Sequence, residues 1–187
     1  MAFNYKSSRH GAQRNLVSVL INDSKTVGVG DVVQSYTAGS LNNGVAALPL
    51  KGFVHAIVEA ENGLKPSLPE VKGSNTAGST NPSDTTSVTT AADNTTTKKW
   101  WAIVDTSVHS LYSAEVSGTI DTTTNSGDLG GRVDVDSANT DYGRVLETTH
   151  TRTIGTPANF YNHGVDPEDS TRLVVSLAMP EEMSVME

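Results

Sequence analysis

No stretch of this chain keeps an apolar stripe at i, i+3, i+4, i+7 long enough to build a substantial helix, so any helix is short. What recurs is a short β-branched run closed by turn chemistry. Leu16-Val17-Ser18-Val19-Leu20-Ile21 stops at Asn22-Asp23-Ser24, and Thr26 to Val33 spaces Gly28 and Gly30 among valines. A glycine-bearing turn from Gly39 to Gly44 leads to Val45-Ala46-Ala47-Leu48-Pro49-Leu50. Gly52 to Ala60 ends at Glu61-Asn62-Gly63, and Asn-Gly after a strand is a strong turn signal. Further runs are Trp100–Asp105, Leu111–Ile120, Arg132–Asp136, Gly143–Thr149 and Thr171–Leu177. Short strands spaced roughly 8–12 residues apart predict a mainly β fold, a single β-sandwich or small β-barrel.

The 187 residues are enough for one domain with a real core, yet the hydrophobic fraction is 36% and aromatics only 5%. That is below the ~45–50% of ordinary domains, so a compact core uses part of the chain. Three segments stand apart from the β domain, which spans 16–177. Residues 1–15 carry Lys6, Arg9 and Arg14 with His10 among them, and read as a frayed terminus or an extended N-terminal arm that docks on an oppositely charged subunit. Residues 73–97 are a long Thr/Ser/Asn-rich loop with one valine, too polar to offset an ordering cost of roughly 1–2 kcal/mol per residue. Order there requires something to hold it, most simply neighbouring chains. Residues 178–187 form an acidic tail with Glu181, Glu182 and Glu187.

The net charge of −8 repels phosphate backbones and argues against nucleic acid as a partner. Without cysteine there is no disulfide, thiolate nucleophile or thiolate zinc site. Nothing resembles a signal peptide or a membrane span, so the expected place of synthesis and assembly is a cytoplasm. Asp134, Asp136, Asn139 and Asp141 offer calcium-type oxygens, but an EF-hand needs glycine and glutamate where Asn139 and Val145 stand. The histidines (His10, His55, His109, His150, His163) show no ligand spacing, and no G-x-S-x-G, Walker A or dinucleotide fingerprint occurs. Catalytic residues, metal ligands and cofactors are therefore expected to be none. Carboxylate pairs of the glycosidase type are defined by distance and stay open, although sugar-stacking aromatics are scarce. Trp100 and Trp101 face opposite sides of a strand, so one belongs to the core and the other is an interface candidate. The sequons Asn22-Asp23-Ser24 and Asn94-Thr95-Thr96 read as chance.

Laid end to end, several segments give a layout that resembles the head decoration (cement) and head-fibre-base proteins of tailed bacteriophages. They are Val29–Val33, Leu50–Glu59 with Asn62-Gly63, Trp101–Asp105, Tyr112–Gly118, Gly127–Gly131, Gly164–Asp169 and Arg172–Leu177. The resemblance covers about residues 27–177 and omits the basic arm and the Thr-rich segment. It implies a non-enzymatic virion protein on the head surface that binds the major capsid protein of an assembled lattice. Such a protein clamps adjacent capsomers and is often a trimer, so self-association is expected. The interface candidates are Lys6, Arg9, Arg14, Trp100 and Trp101. The alternative is a carbohydrate- or receptor-binding β module of a phage fibre or tail; a small β-barrel hydrolase is a distant third.

Overall fold

The computed structural model describes residues 3–35, 40–43, 50–60, 63–66, 87–116, 120, 132–133 and 160–178. Among them the fold is mainly β. The strands are β1 (Phe3–Ser8), β2 (Leu16–Ile21), β3 (Thr26–Gly28), β4 (Val32–Ser35), β5 (Ser40–Asn43) and β6 (Leu50–Glu59). They continue with β7 (Ser87–Thr89), β8 (Trp100–Asp105), β9 (Ser110–Glu115), β10 (Arg132–Val133), β11 (Phe160–Asp166) and β12 (Asp169–Leu177). One turn of helix, α1 (Asn94–Thr97), precedes β8.

Five strands close a small barrel in the order β2-β5-β4-β6-β8, with β8 returning to β2. Only β2 and β5 run parallel. The interior is made by Ile21, Val27, Val33, Val54, Ile57, Ala102 and Val104, with Val17, Val19, Val29, Val88 and Trp100 packed around them. β-Branched side chains suit so narrow a barrel, where stiff, compact groups fill the taper. The related phrases Ala56-Ile57-Val58-Glu59 and Ala102-Ile103-Val104-Asp105 lie side by side: Ala56 opposes Ile103 and Ile57 opposes Ala102. A bulge in β6 between Val54 and Ala56 shifts the alternation by one residue. Phe53 thus points out of the barrel and Val54 in, while beyond the exposed His55 it is Ile57 that points in.

The other sheet is antiparallel, ordered β1-β9-β12-β11-β10. Its core joins Phe3, Tyr112, Ala114, Val133, Phe160, Leu173, Val175, Leu177 and Ala178 to two side chains from the barrel, Val32 and Phe53. Phe53 stacks on Tyr112 with ring centroids 3.8 Å apart and lies 5.2 Å from Phe3 and 5.8 Å from Phe160. Phe3, Phe53, Tyr112 and Phe160 are thus gathered at the contact between barrel and sheet.

Three expectations change. Residues 3–8 of the arm form an edge strand paired with β9, because Phe3 is almost fully buried and anchors it. The Gly39–Gly44 turn contains β5, which pairs with both β4 and β2. In the Thr-rich segment, residues 87–97 are held by this chain itself. β7 pairs with β3, Thr90 Oγ1 donates to Asn22 O at 2.6 Å, and the Thr95 amide and hydroxyl both donate to Asp23. Asn94 is 1% exposed, donating through Nδ2 to Ile21 O and accepting from Trp100 N, so its sequon has no room for a glycan.

Gly52 marks the tightest crossing of β6 over β8. A Cβ there would lie 2.1 Å from the Asp105 carbonyl oxygen and 2.7 Å from Val104 Cγ1. Gly52→Ala is expected to cost at least ~3 kcal/mol, the upper part of the overpacking range, because the obstacle is backbone. Urea denaturation followed by tryptophan fluorescence measures it, and unchanged stability would contradict the crossing.

Candidate functional site

Among the described residues, a dense set of interacting polar groups lies at the junction of barrel and sheet. β8 delivers Asp105 to the outer wall of the barrel, where its side chain is fully buried. Asp105 Oδ2 accepts from Arg14 Nε at 2.9 Å, from Tyr112 Oη at 2.8 Å and from Ser110 Oγ at 2.7 Å. The Ser107 amide donates to Oδ1 at 3.0 Å. Arg14 also donates to the Tyr112 hydroxyl at 3.1 Å and lies over the Tyr5 ring, 4.2 Å from its centroid. The chain reaches this arrangement through a short connection: after β8, Thr106–His109 turns directly into β9, so Asp105, Ser110 and Tyr112 meet within seven residues of each other.

Burial alone would raise the Asp105 pKa, but the donors from Arg14, Ser107, Ser110 and Tyr112 outweigh it and hold the carboxyl below its ordinary value. Tyr112 is pushed far up, by burial first and by the Asp105 charge second. His55, in the bulge of β6, is exposed as a residue, yet its pKa is pushed down. Partial desolvation is the larger cause and the Arg14 charge the next, against the opposing pull of Asp105. A carboxylate that accepts from four groups and a phenol held protonated make a cross-link; neither is poised to exchange protons near neutral pH.

The other expected site residues are dispersed. Lys6 pairs with the buried side chain of Asp166 at 3.1 Å and with Glu168 at the β11–β12 hairpin. Its pKa is raised chiefly by the Glu168 hydrogen bond. Arg9 is exposed in a 3-10 turn, and its charge, after desolvation, helps lower His163. Trp101 is 8% exposed and donates to Lys98 O at 2.7 Å; Trp100 is half-buried with Lys99 over its ring, 5.7 Å from the centroid. The basic segment is thus split, with Arg14 and Lys6 answering carboxylates of the same chain and Arg9 facing outward. Sequence reasoning missed Asp105, Tyr112 and Ser110; the one available signal was an aspartate closing an otherwise apolar strand. The Asp134–Asp141 oxygens and His150 lie outside the described residues. Among the described residues no group of three or more His, Cys, Asp or Glu side chains is placed to hold a metal, and no helix is long and apolar enough to cross a membrane.

Compared with known proteins, the chain matches no family model, no curated sequence and no solved structure.

Asp105→Asn is expected to destabilise the fold by about 3–5 kcal/mol, since it strands the Arg14 guanidinium beside a neutral group. A depressed carboxyl contributes in full above its unfolded value, about pH 4, and the contribution disappears as pH falls through the lower folded value. Chemical denaturation between pH 7 and pH 2 should therefore show the wild type losing stability below about pH 4, with a shallower acid limb in the variant. Equal slopes would remove Asp105 from the account.

Proposed function

We propose that the chain is a non-enzymatic structural protein that binds the outer surface of an assembled tailed-phage capsid and stabilises contacts between capsomers. Its partners are the major capsid protein and further copies of itself, with a trimer favoured, and its place is the virion head. The observation that carries the reading is the junction. The densest set of interacting polar side chains among the described residues welds two β units together, as suits a body that must transmit tension without deforming. The segments that resemble decoration proteins support it from another side. Val29–Val33, Gly52–Glu59, Trp101–Asp105, Tyr112–Val116 and Arg172–Leu177 meet as β4, β6, β8, β9 and β12 around that junction, with the Gly30-Asp31 turn locked on β6 through Gly30 N to Val54 O and Val54 N to Asp31 O, both 2.8 Å.

Deleting residues 1–15 does not isolate an attachment arm, because the deletion also removes Phe3 from the core and Arg14 from Asp105. Purified particles supply the direct test. Mass-spectrometric inventory and a cryo-EM map are expected to show a copy number that follows the capsomer lattice, with density on the outer head surface. A copy number matching a single vertex, or glycan-array binding without co-purification with heads, would transfer the chain to the fibre or tail.

A further inference from the structure

One end of the barrel presents lysines and an exposed leucine on an acidic chain. At the open end of the β6–β8 pair, Glu59 opposes Trp100 and Ala60 N donates to Lys99 O at 2.7 Å. Gly63, at φ +68°, lies beside the end of α1: a Cβ added there would come within 2.9 Å of the Thr97 carbonyl oxygen and 3.7 Å of Lys98 Cβ. The segment carrying Leu64 and Lys65 thus leaves from beside Lys98, which Lys99 and Trp100 follow in sequence. Leu64 is 71% exposed, the most exposed large hydrophobic residue among those described, and Lys65 and Lys98 are exposed as well. Among the described residues neither Lys65 nor Lys98 has a carboxylate within ion-pair distance, while Lys99 reaches Glu59 at 3.0 Å and keeps a half-exposed side chain.

The backbone is arranged to display these groups. Lys98 adopts a left-handed conformation, φ +53° and ψ +36°, at the position that ends α1, where glycine or asparagine is the usual choice. Its amide is tied to Asn94 O at 2.7 Å and its carbonyl accepts from Trp101 Nε1 at 2.7 Å, so the residue is fixed from both sides. An exposed leucine, a half-buried tryptophan and exposed ammonium groups on adjoining segments are the ingredients of a protein-binding surface.

We propose that the Leu64–Lys65 and Lys98–Trp100 surface is the face by which the chain docks on an acidic protein surface of the assembled shell. The inference rests on the capsid reading and deepens it by naming the docking face. Charge complementarity selects the partner: a local basic patch on a chain of net charge −8 orients the molecule as it approaches an acidic surface. The exposed leucine favours protein over nucleic acid, whose phosphates the rest of the chain repels. Lys6 and Arg14, already paired within the chain, take no part, which moves the docking face from the N-terminal segment to the end of the barrel.

Rebinding of the full-length protein to particles stripped of it, followed by co-sedimentation at several salt concentrations, tests the proposal. The triple charge reversal K65E/K98E/K99E is expected to weaken rebinding about tenfold or more at low salt, and L64D to weaken it with little salt dependence. The charge-keeping triple K65R/K98R/K99R and a control, R9E, should rebind like the wild type. Thermal unfolding shows that each variant folds. Should K65E/K98E/K99E fail to fold, protection of Lys65 and Lys98 from acetylation on the particle replaces it. Wild-type rebinding with no loss in the triple reversal, or no protection, overturns the docking face and leaves the capsid reading standing. A wild type that does not rebind at all overturns both. Retention on duplex DNA or phosphatidylserine vesicles that disappears in the triple reversal overturns the assignment to a protein partner.

Discussion

A carboxylate with no exposed surface sits between two β units, and the rest of the structure is arranged to keep it charged. Removing a carboxylate from water costs several kcal/mol even after relaxation, so Asp105 is tolerable only with its donors in place. Those donors come from three parts of the chain: Arg14 before the barrel, Ser107 in the turn after β8, and Ser110 and Tyr112 on β9. Each constrains a different element. Arg14 fixes the path from β1 into β2, the turn fixes how β9 leaves the barrel, and Tyr112 places the ring on which Phe53 stacks. The apolar and polar halves of the junction are therefore one device, since Tyr112 offers its face to Phe53 and its hydroxyl to Asp105.

That arrangement explains how a chain with so few aromatics builds a firm body. Inside the barrel, valine, isoleucine and alanine suffice because five strands enclose little volume. Four rings, Phe3, Phe53, Tyr112 and Phe160, form one cluster at the contact between units. The modest hydrophobic fraction reflects two small cores that share one aromatic joint.

Strands with a dense β-branched signal were legible from sequence alone: β2 and β8 have the very bounds that their apolar runs imply, and β6 and β12 differ by a residue or two. What was not legible shares a physical cause. β1 is an edge strand whose only apolar anchor is Phe3, with Asn4 to Ser7 exposed on both faces, so it carries no period-two pattern. β7 pairs with β3, and the residues after it are held by the 22–25 turn: Lys25 N donates to Thr90 Oγ1, which donates to Asn22 O, and Thr95 Oγ1 donates to Asp23 Oδ2, in a stretch that composition scores as disorder. β11 buries every second residue, but beyond Phe160 the buried positions are Asn162, Gly164 and Asp166, so the strand carries no apolar period. The junction was hidden for a different reason: Arg14, Asp105 and Tyr112 are ordinary residues in sequence and acquire meaning only when a strand pairing brings them within 3.1 Å.

The same distinction governs where function can reside. Side chains committed to the junction are lost to partners, because each is already satisfied and buried. Arg14 illustrates this, and Lys6, away from the junction, is likewise engaged by Asp166 and Glu168 of the same chain; both look available in sequence. Conversely, Leu64 stays in water and the Lys98 ammonium stays exposed, although only the Lys98 backbone, which ends α1 and holds Trp101, serves the fold. Features that folding does not require, kept in place by hydrogen bonds that folding does supply, are where a protein that binds rather than reacts is expected to meet its partner.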